Sequence, residues 1–345
     1  MKALVLTEYN NFEIQDIEKP TCPENEVLIK IEACGICGSD VHGMDGSTGR
    51  RQPPMVMGHE ASGTIVEVGN QVSGFATGER VTFDSTVYCG ECEYCQAGDI
   101  NLCSNRRVIG VSCDEYKSAG AFAEYITLPP RVLYKFGQSL DFAKACMVEP
   151  LSIAFHAVNI TDIKLGDTIL VIGAGIIGQM VVQTVRLAGA AKLIVVDLDE
   201  GRIAKSLKHG ADYGINSGSA DVIKEVEKIT GGKMADVIIE AVGTDATINM
   251  GIDCLKKGGA MTIIGNISPT INLPLQKVVT RELKIQGSCA SSGEYPACLE
   301  FLERGDIDVS DAISAVEPMS KGQEWFDRLY SRESGLNKVI LKPYE

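Results

Sequence analysis

Positive charge is in short supply in this chain: 32 Lys and Arg stand against 46 Asp and Glu, a formal charge of -14. So acidic a surface repels phosphate backbones and anionic lipid on average, which makes nucleic acid and membrane surfaces poor partners. Long apolar runs are missing too. The longest, "TILVIGAGIIGQMVV", is broken by three glycines and a Gln and falls short of a bilayer span. The opening "MKALVLTEYNNFEIQD" has one short apolar run before Glu8, too little for a secretory signal, so a cytoplasmic protein is expected. There is no internal repeat of fixed period and no low-complexity segment.

Cysteine, in contrast, is plentiful: twelve in 345 residues. Disulfide frameworks belong to small secreted domains, so a chain of this length without a signal is expected to carry reduced thiols and metal. The length suits two domains with sizeable cores, and a composition 45% hydrophobic and 23% charged suits a soluble globular fold.

Residues 1 to about 135 read as short β-rich runs between Gly, Pro and Asp turns: "KALVLT", "EVLIKIEA", "SGTIVEVG", "ERVTF", "GAFAEYITL" and "VLYKF". This is the pattern of a β-barrel-like domain. From Ser139 the texture turns helical. Between about 156 and 287, the apolar strands "TILVIG", "KLIVVD", "DYGIN", "ADVIIEAV", "AMTIIG" and "LKIQGS" alternate with helices such as "IIGQMVVQTVRLAGA" and "SADVIKEVEKIT". Val/Ile strands without polar alternation fit a doubly wound parallel sheet covered on both faces, hence an α/β fold. The expected division is 1–155, 156–287 and 288–345, the last stretch returning to the first domain.

Gly173, Gly175 and Gly178 form G-x-G-x-x-G between a predicted strand and a helix. The chemistry asks for a tight turn at the first, close approach of backbone to a pyrophosphate at the second, and helix-to-strand packing at the third. The next strand ends at Asp197, where a carboxylate accepts hydrogen bonds from an adenosine ribose. A Rossmann-type dinucleotide site follows, and the same carboxylate would repel a 2'-phosphate, favouring NAD over NADP.

Cys89, Cys92, Cys95 and Cys103, spaced C-x2-C-x2-C-x7-C, can close a tetrahedral zinc shell with no open position, a structural arrangement. An iron-sulfur centre is the rival for four thiolates. Upstream, "CGICGSDVHG" and "MGHEASG" supply Cys37, His59 and Glu60, one sulfur, one nitrogen and one oxygen, leaving a fourth position open as catalytic zinc requires.

With these motifs, together with "GAFAEYI", "VEPLSIAFHA" and "IVVDL", the chain resembles the zinc-containing medium-chain alcohol dehydrogenases, in particular their polyol branch typified by sorbitol dehydrogenase. The resemblance runs over essentially the whole length. It implies a GroES-like β-rich catalytic domain with the NAD domain inserted, two zinc ions per chain, and oxidation of a secondary alcohol in a polyol or sugar derivative. Residue by residue, it places catalytic zinc on Cys37, His59 and Glu60, with Glu149 as alternating ligand or partner of the metal's water and Cys146 as rival for that role. It further implies a proton relay from Ser39 through the nicotinamide ribose to His42, and an NAD site bordered by Ile177, Asp197, Arg202, Ile264, Gly265 and Asn266. His156 and His209 match no family site and read as structural. A homo-oligomer, dimer or tetramer, is implied as well.

Polyol relatives of the sorbitol type carry an Arg-Tyr pair where this chain reads "GSCASSGEYP". That departure puts sorbitol itself in doubt. Arg50 and Arg51, near the family's substrate cleft, suggest an anionic polyol, phosphorylated or acidic. Threonine dehydrogenases share the zinc and glycine motifs, so amino-alcohol oxidation is an alternative, and a catalytically silent NAD- or zinc-binding protein is another.

Overall fold

The computed structural model describes residues 1–113 and 116–344. The chain divides into two units, one built from residues 1–149 together with the chain from Ser291 onward, the other from Pro150 to Ala290. The inserted unit thus begins six residues earlier than the expected 156 and ends three later than 287. Glu149 is the last residue of the outer unit's first stretch, where Ser85 donates to its side chain.

The outer unit is β-rich. Its main sheet runs Leu133–Lys135, Arg80–Phe83, Glu60–Val68, Val27–Gly35, Lys338–Lys342 and Ile313–Pro318, with Tyr125–Leu128 also pairing Val27–Gly35. A second sheet joins Asn11–Asp16, Lys2–Glu8 and Met55–Val56. The run "GAFAEYITL" yields a strand only over Tyr125–Leu128. Upstream of it the backbone is shared between two neighbours, Ala121 and Phe122 donating to Gly58 and Met57 while Phe122 accepts from Leu4, so no single ladder forms. Both chain ends build one core, in which Phe326 stacks on Phe12 at 4.2 Å and meets Phe122 edge-on at 5.8 Å. Each such ring contributes about 1.5–3 kcal/mol by leaving water.

The inserted unit is a six-stranded, wholly parallel sheet ordered Tyr213–Asn216, Lys192–Asp197, Thr168–Ile172, Ala235–Glu240, Leu255–Ile263 and Lys284–Gly287. All six strands correspond to the apolar runs of the sequence. Consecutive residues Ile169, Leu170 and Val171 are all fully buried, as a central strand covered on both faces requires. This strand order reverses direction beside Thr168–Ile172, and crevices at such switch points are where doubly wound sheets take ligands. Among the described residues no helix is long and apolar enough to cross a membrane.

Candidate active site and metal centres

In the outer unit, Cys37 is the N-cap of the short helix Gly38–Gly43, and its sulfur accepts from the backbone N–H of Ser39 at 3.4 Å and from Ser39 Oγ at 3.3 Å. His59 and Glu60 arrive from the start of the strand Glu60–Val68. Gly58 makes this possible: at φ 93° it holds a left-handed turn, and a Cβ there would strike the Phe122 ring and the Cys34 sulfur within 2.9 Å. Gly35 clears the carboxylate, since a Cβ would lie 2.4 Å from Glu60 Oε2. One ligand atom each from Cys37, His59 and Glu60 lies within 4.8 Å of the others. That donor set, three ligands of mixed hardness, fits an open zinc site.

Two buried charges that the sequence did not single out support this group. Lys338, from the C-terminal strand, donates to Glu60 Oε1 and Oε2 at 2.7 and 2.5 Å and to the Ile36 carbonyl at 2.9 Å. Burial works against its charge, but Glu60 holds its pKa above the ordinary lysine value. Asp40 lies 3.5 Å from His59 Nδ1, leaving Nε2 as the ring nitrogen for a metal. Burial alone would raise Asp40, yet His59 and Arg51 hold it well below the usual carboxylate range. His59 is itself held high by Asp40 and Cys37 despite its burial.

Glu149 is buried in the same unit, with Ser85 Oγ donating to it at 3.0 Å, and it stands outside the three-ligand cluster. Burial pushes its pKa up to about 7, His59 lowering and Glu60 raising it. Cys146 donates to the Ala143 carbonyl, is also outside the cluster, and burial raises its thiol far above the ordinary value. Ser39 and His42 are exposed and three residues apart on one helix, hence on a common face.

The arginine pair is not what the sequence suggested. Arg50 is exposed, but Arg51 is only 3% exposed and its guanidinium is committed to Asp40 at 2.8 Å. Of the two arginines that suggested an anionic substrate, Arg51 therefore points into the protein, bound by a carboxylate that the motif "GSDVHG" supplies. The Tyr of "GEYP" is likewise interior, Tyr295 being fully buried and stacked on Tyr134 at 4.8 Å.

Cys89, Cys92, Cys95 and Cys103 converge in a lobe around the helix Glu93–Ala97. Their sulfurs stand 3.5 Å (Cys92 to Cys95), 3.5 Å (Cys103 to Cys89) and 3.9 Å (Cys89 to Cys95) apart. Four thiolates around one zinc at ~2.3 Å stand about 3.8 Å from each other, so the lobe has single-ion spacing. Thiolates on separate irons of a cluster must stand farther apart, which disfavours that rival. Backbone N–H groups of Cys95 and Ser104 lower the Cys92 thiol to about 6, while burial raises Cys95 to about 12. Ser292 anchors the lobe, donating to the Gly98 carbonyl at 2.7 Å and accepting from the Ile100 N–H at 3.2 Å.

In the inserted unit, Gly173 sits at φ 91°, and a Cβ on Gly178 would fall 1.8 Å from the Gly173 carbonyl oxygen. A Cβ on Gly175 would meet nothing within 4 Å, so open space lies where a pyrophosphate has to approach. The helix Ile176–Leu187 that follows has no side-chain cap, leaving its first N–H groups for an anion. Asp197 accepts from the N–H groups of Ala174 (2.6 Å) and Asp199 (2.9 Å), which ties the second strand to the glycine turn. Ile177 lies in the first turn of the helix, and the Arg202 backbone N–H donates to the Asp199 cap. Ile264 and Gly265 donate to the Glu240 carbonyl, with exposed Asn266 beyond them. Glu240, missed in the sequence, is buried at the end of its strand and accepts from Val242 and Gly243 N–H groups. His156 lies buried in the helix Val148–Asn159 and His209 caps Glu200–Lys208; neither belongs to a metal cluster.

Residues 23–138 match the model of the alcohol dehydrogenase GroES-like domain, and residues 177–304 that of the zinc-binding dehydrogenases. A sorbitol dehydrogenase of Halalkalibacterium halodurans is 33% identical over 352 residues, covering 100% of both chains. The chain belongs to the zinc-binding medium-chain alcohol dehydrogenases, in their polyol branch. This dehydrogenase is also 31% identical to the D-arabitol-phosphate dehydrogenase of Enterococcus avium, over 97% of this chain and 94% of that one. Its fold matches an alcohol dehydrogenase of Escherichia coli CFT073 solved with NADH, at a TM-score of 0.91, 28% identity and 99% coverage of each chain.

A further buried acid lies beside the zinc-site residues of this dehydrogenase. Asp84 accepts from the Thr86 N–H at 2.8 Å through one oxygen, while the other has no partner among the described residues. Burial raises its pKa to about 7, the nearby Glu149 and Glu294 carboxylates adding to the effect. The folded value lies above the unfolded ~3.9, so the native state holds a proton that the unfolded state has released, and stability falls as pH rises through about 7. Urea unfolding of the metal-stripped protein is expected to lose about 1–1.5 kcal/mol to this group between about pH 6 and 8. Asp84→Asn should remove that share of the slope. Equal slopes in both proteins would show that Asp84 titrates normally.

Proposed function

We propose that this dehydrogenase oxidises a secondary alcohol of an uncharged polyol or sugar derivative to the ketone, with NAD as hydride acceptor. The observation that carries the reading is the convergence of Cys37, His59 and Glu60 within one ion's reach, three ligands rather than four. A zinc ion held there supplies Lewis acidity to a substrate hydroxyl, and NAD, when bound, accepts the hydride. Ser39 Oγ accepts the hydroxyl proton as it passes its own on, through the nicotinamide ribose when NAD is bound, to exposed His42 on the same helix face, which releases a proton to water. Glu149, held by Ser85, stands by as a second carboxylate at the centre. The lobe cysteines hold a second, structural zinc.

The Asp197 carboxylate favours the free 2'-hydroxyl of NAD over the phosphate of NADP. The loss of Arg51 from the surface removes half of the case for an anionic substrate, so a neutral polyol is the better match. Twelve cysteines without a disulfide among the described residues suit a reducing cytoplasm. Among the described residues the outer edge of Lys284–Gly287 is unpaired, and the helix that precedes it in the chain exposes Leu275 and Val279, in keeping with a homo-oligomer.

Steady-state rates of NAD and NADP reduction with a panel of polyols, their phosphates, aldonates and threonine test this. The expected outcome is the highest kcat/KM with NAD and a neutral polyol. Preference for threonine would support amino-alcohol oxidation instead, and inactivity of the zinc-loaded protein across the panel would support a silent binding protein.

A further inference from the structure

Arginine is almost never buried unless paired, and Arg51 is buried on a partner that is itself 0% exposed, Asp40. Its Nη2 and Nε reach Asp40 Oδ1 at 2.8 and 3.3 Å, the same oxygen that lies 3.5 Å from His59 Nδ1. Nη2 also stands 3.5 Å from Ser39 Oγ, whose proton is directed to the Cys37 sulfur at 3.3 Å, and Nη1 stands 3.5 Å from the Arg50 carbonyl. The backbone has been cleared for this side chain: a Cβ on Gly43 would fall 2.6 Å from Arg51 Cγ. One guanidinium thus touches the neighbours of two metal ligands, through Asp40 to His59 and through Ser39 to Cys37.

We propose that Arg51 is a positioning residue of the catalytic metal centre, fixing the Asp40 carboxylate on His59 and the Ser39 hydroxyl beside Cys37. The reasoning is electrostatic and geometric. Asp40 orients the imidazole, as outer carboxylates do for metal-binding histidines. Alone in the interior it would be an uncompensated charge, stable only by protonation or by turning away from His59. The planar fork of arginine supplies both the charge and two directed N–H groups, which a lysine cannot. The proposal rests on Cys37, His59 and Glu60 being the ligands, as inferred above.

The test compares parent, Arg51→Gln, Arg51→Lys and the double variant Asp40→Asn/Arg51→Met, all zinc-loaded. Zinc release to a chelator is followed together with kcat and KM. Arg51→Gln should release the catalytic zinc about tenfold or more faster, the range expected for a lost outer-shell partner, while the lobe zinc stays. It should lower kcat by about tenfold or more for every accepted alcohol, with KM changed less than about twofold. Arg51→Lys should fall between. The double variant, which leaves no orphan charge, should recover thermal stability but not zinc retention, an outcome that a merely structural ion pair would not give. Zinc release at the parent rate in Arg51→Gln would overturn the proposal. So would a raised KM confined to acidic or phosphorylated polyols, which would make Arg51 a substrate contact. The zinc measurement needs no substrate, so it reads even if the polyol assignment fails; in that case the parent oxidises no alcohol while its zinc retention still depends on Arg51.

Discussion

Cys37→Ala is expected to abolish alcohol oxidation while leaving a folded protein with one zinc per chain in place of two. Removing the thiolate takes away one of three ligands and the acceptor for the Ser39 N–H and hydroxyl, so the remaining His59 and Glu60 cannot hold the ion against solvent. Lewis-acid stabilisation is worth several kcal/mol, and ~4 kcal/mol corresponds to about a thousandfold in rate. Cys92→Ser provides the contrast: the lobe zinc should be lost and unfolding made easier, while the catalytic zinc remains. Metal analysis beside kcat distinguishes the two centres, and full activity in Cys37→Ala would place the chemistry elsewhere.

Lys338→Met should be among the most destabilising single substitutions in the outer unit. The ammonium is 3% exposed and Glu60 1% exposed, and the variant leaves that carboxylate buried with no counter-charge. Breaking one side of such a pair costs about 3–5 kcal/mol, with the larger effect in metal-stripped protein, where no zinc charge balances Glu60. Denaturant titration of both forms checks this. Glu60→Gln combined with Lys338→Met should recover much of the loss, because no orphan charge is left. A loss below about 1 kcal/mol in the stripped protein would mean that Glu60 finds water or takes up a proton at little cost.

What the sequence revealed was local. The central parallel strands were legible because continuous Val/Ile runs have only one comfortable environment, a sheet covered on both faces, and the polar edge strands Tyr213–Asn216 and Lys284–Gly287 by their place in the βα alternation. The glycine turn and the four-cysteine lobe were legible because each fits within a few residues. The catalytic ligands were legible as residue types, but their convergence depends on Gly58 turning the chain and Gly35 leaving room, which only coordinates show. Lys338 was invisible for a simple reason: its partner Glu60 is 278 residues away. Arg51 was read together with Arg50 as a candidate contact for an anionic substrate because both sit in one polar, glycine-rich loop; the pairing that turns its guanidinium inward, onto Asp40, is tertiary and leaves no local sign. The strand Asn11–Asp16 was overlooked because its polar face hides the pattern, with only Phe12 fully buried.

The most direct measurement follows hydride itself. A polyol carrying deuterium on its carbinol carbon is incubated with NAD and zinc-loaded protein, and the reduced nicotinamide is examined by mass spectrometry. Deuterium on the nicotinamide, lost when the catalytic zinc is stripped and restored when zinc is returned, is the predicted result. Reduction in which the label escapes to solvent, or deuterium transfer that proceeds unchanged without the metal, would contradict zinc-dependent hydride transfer by this chain.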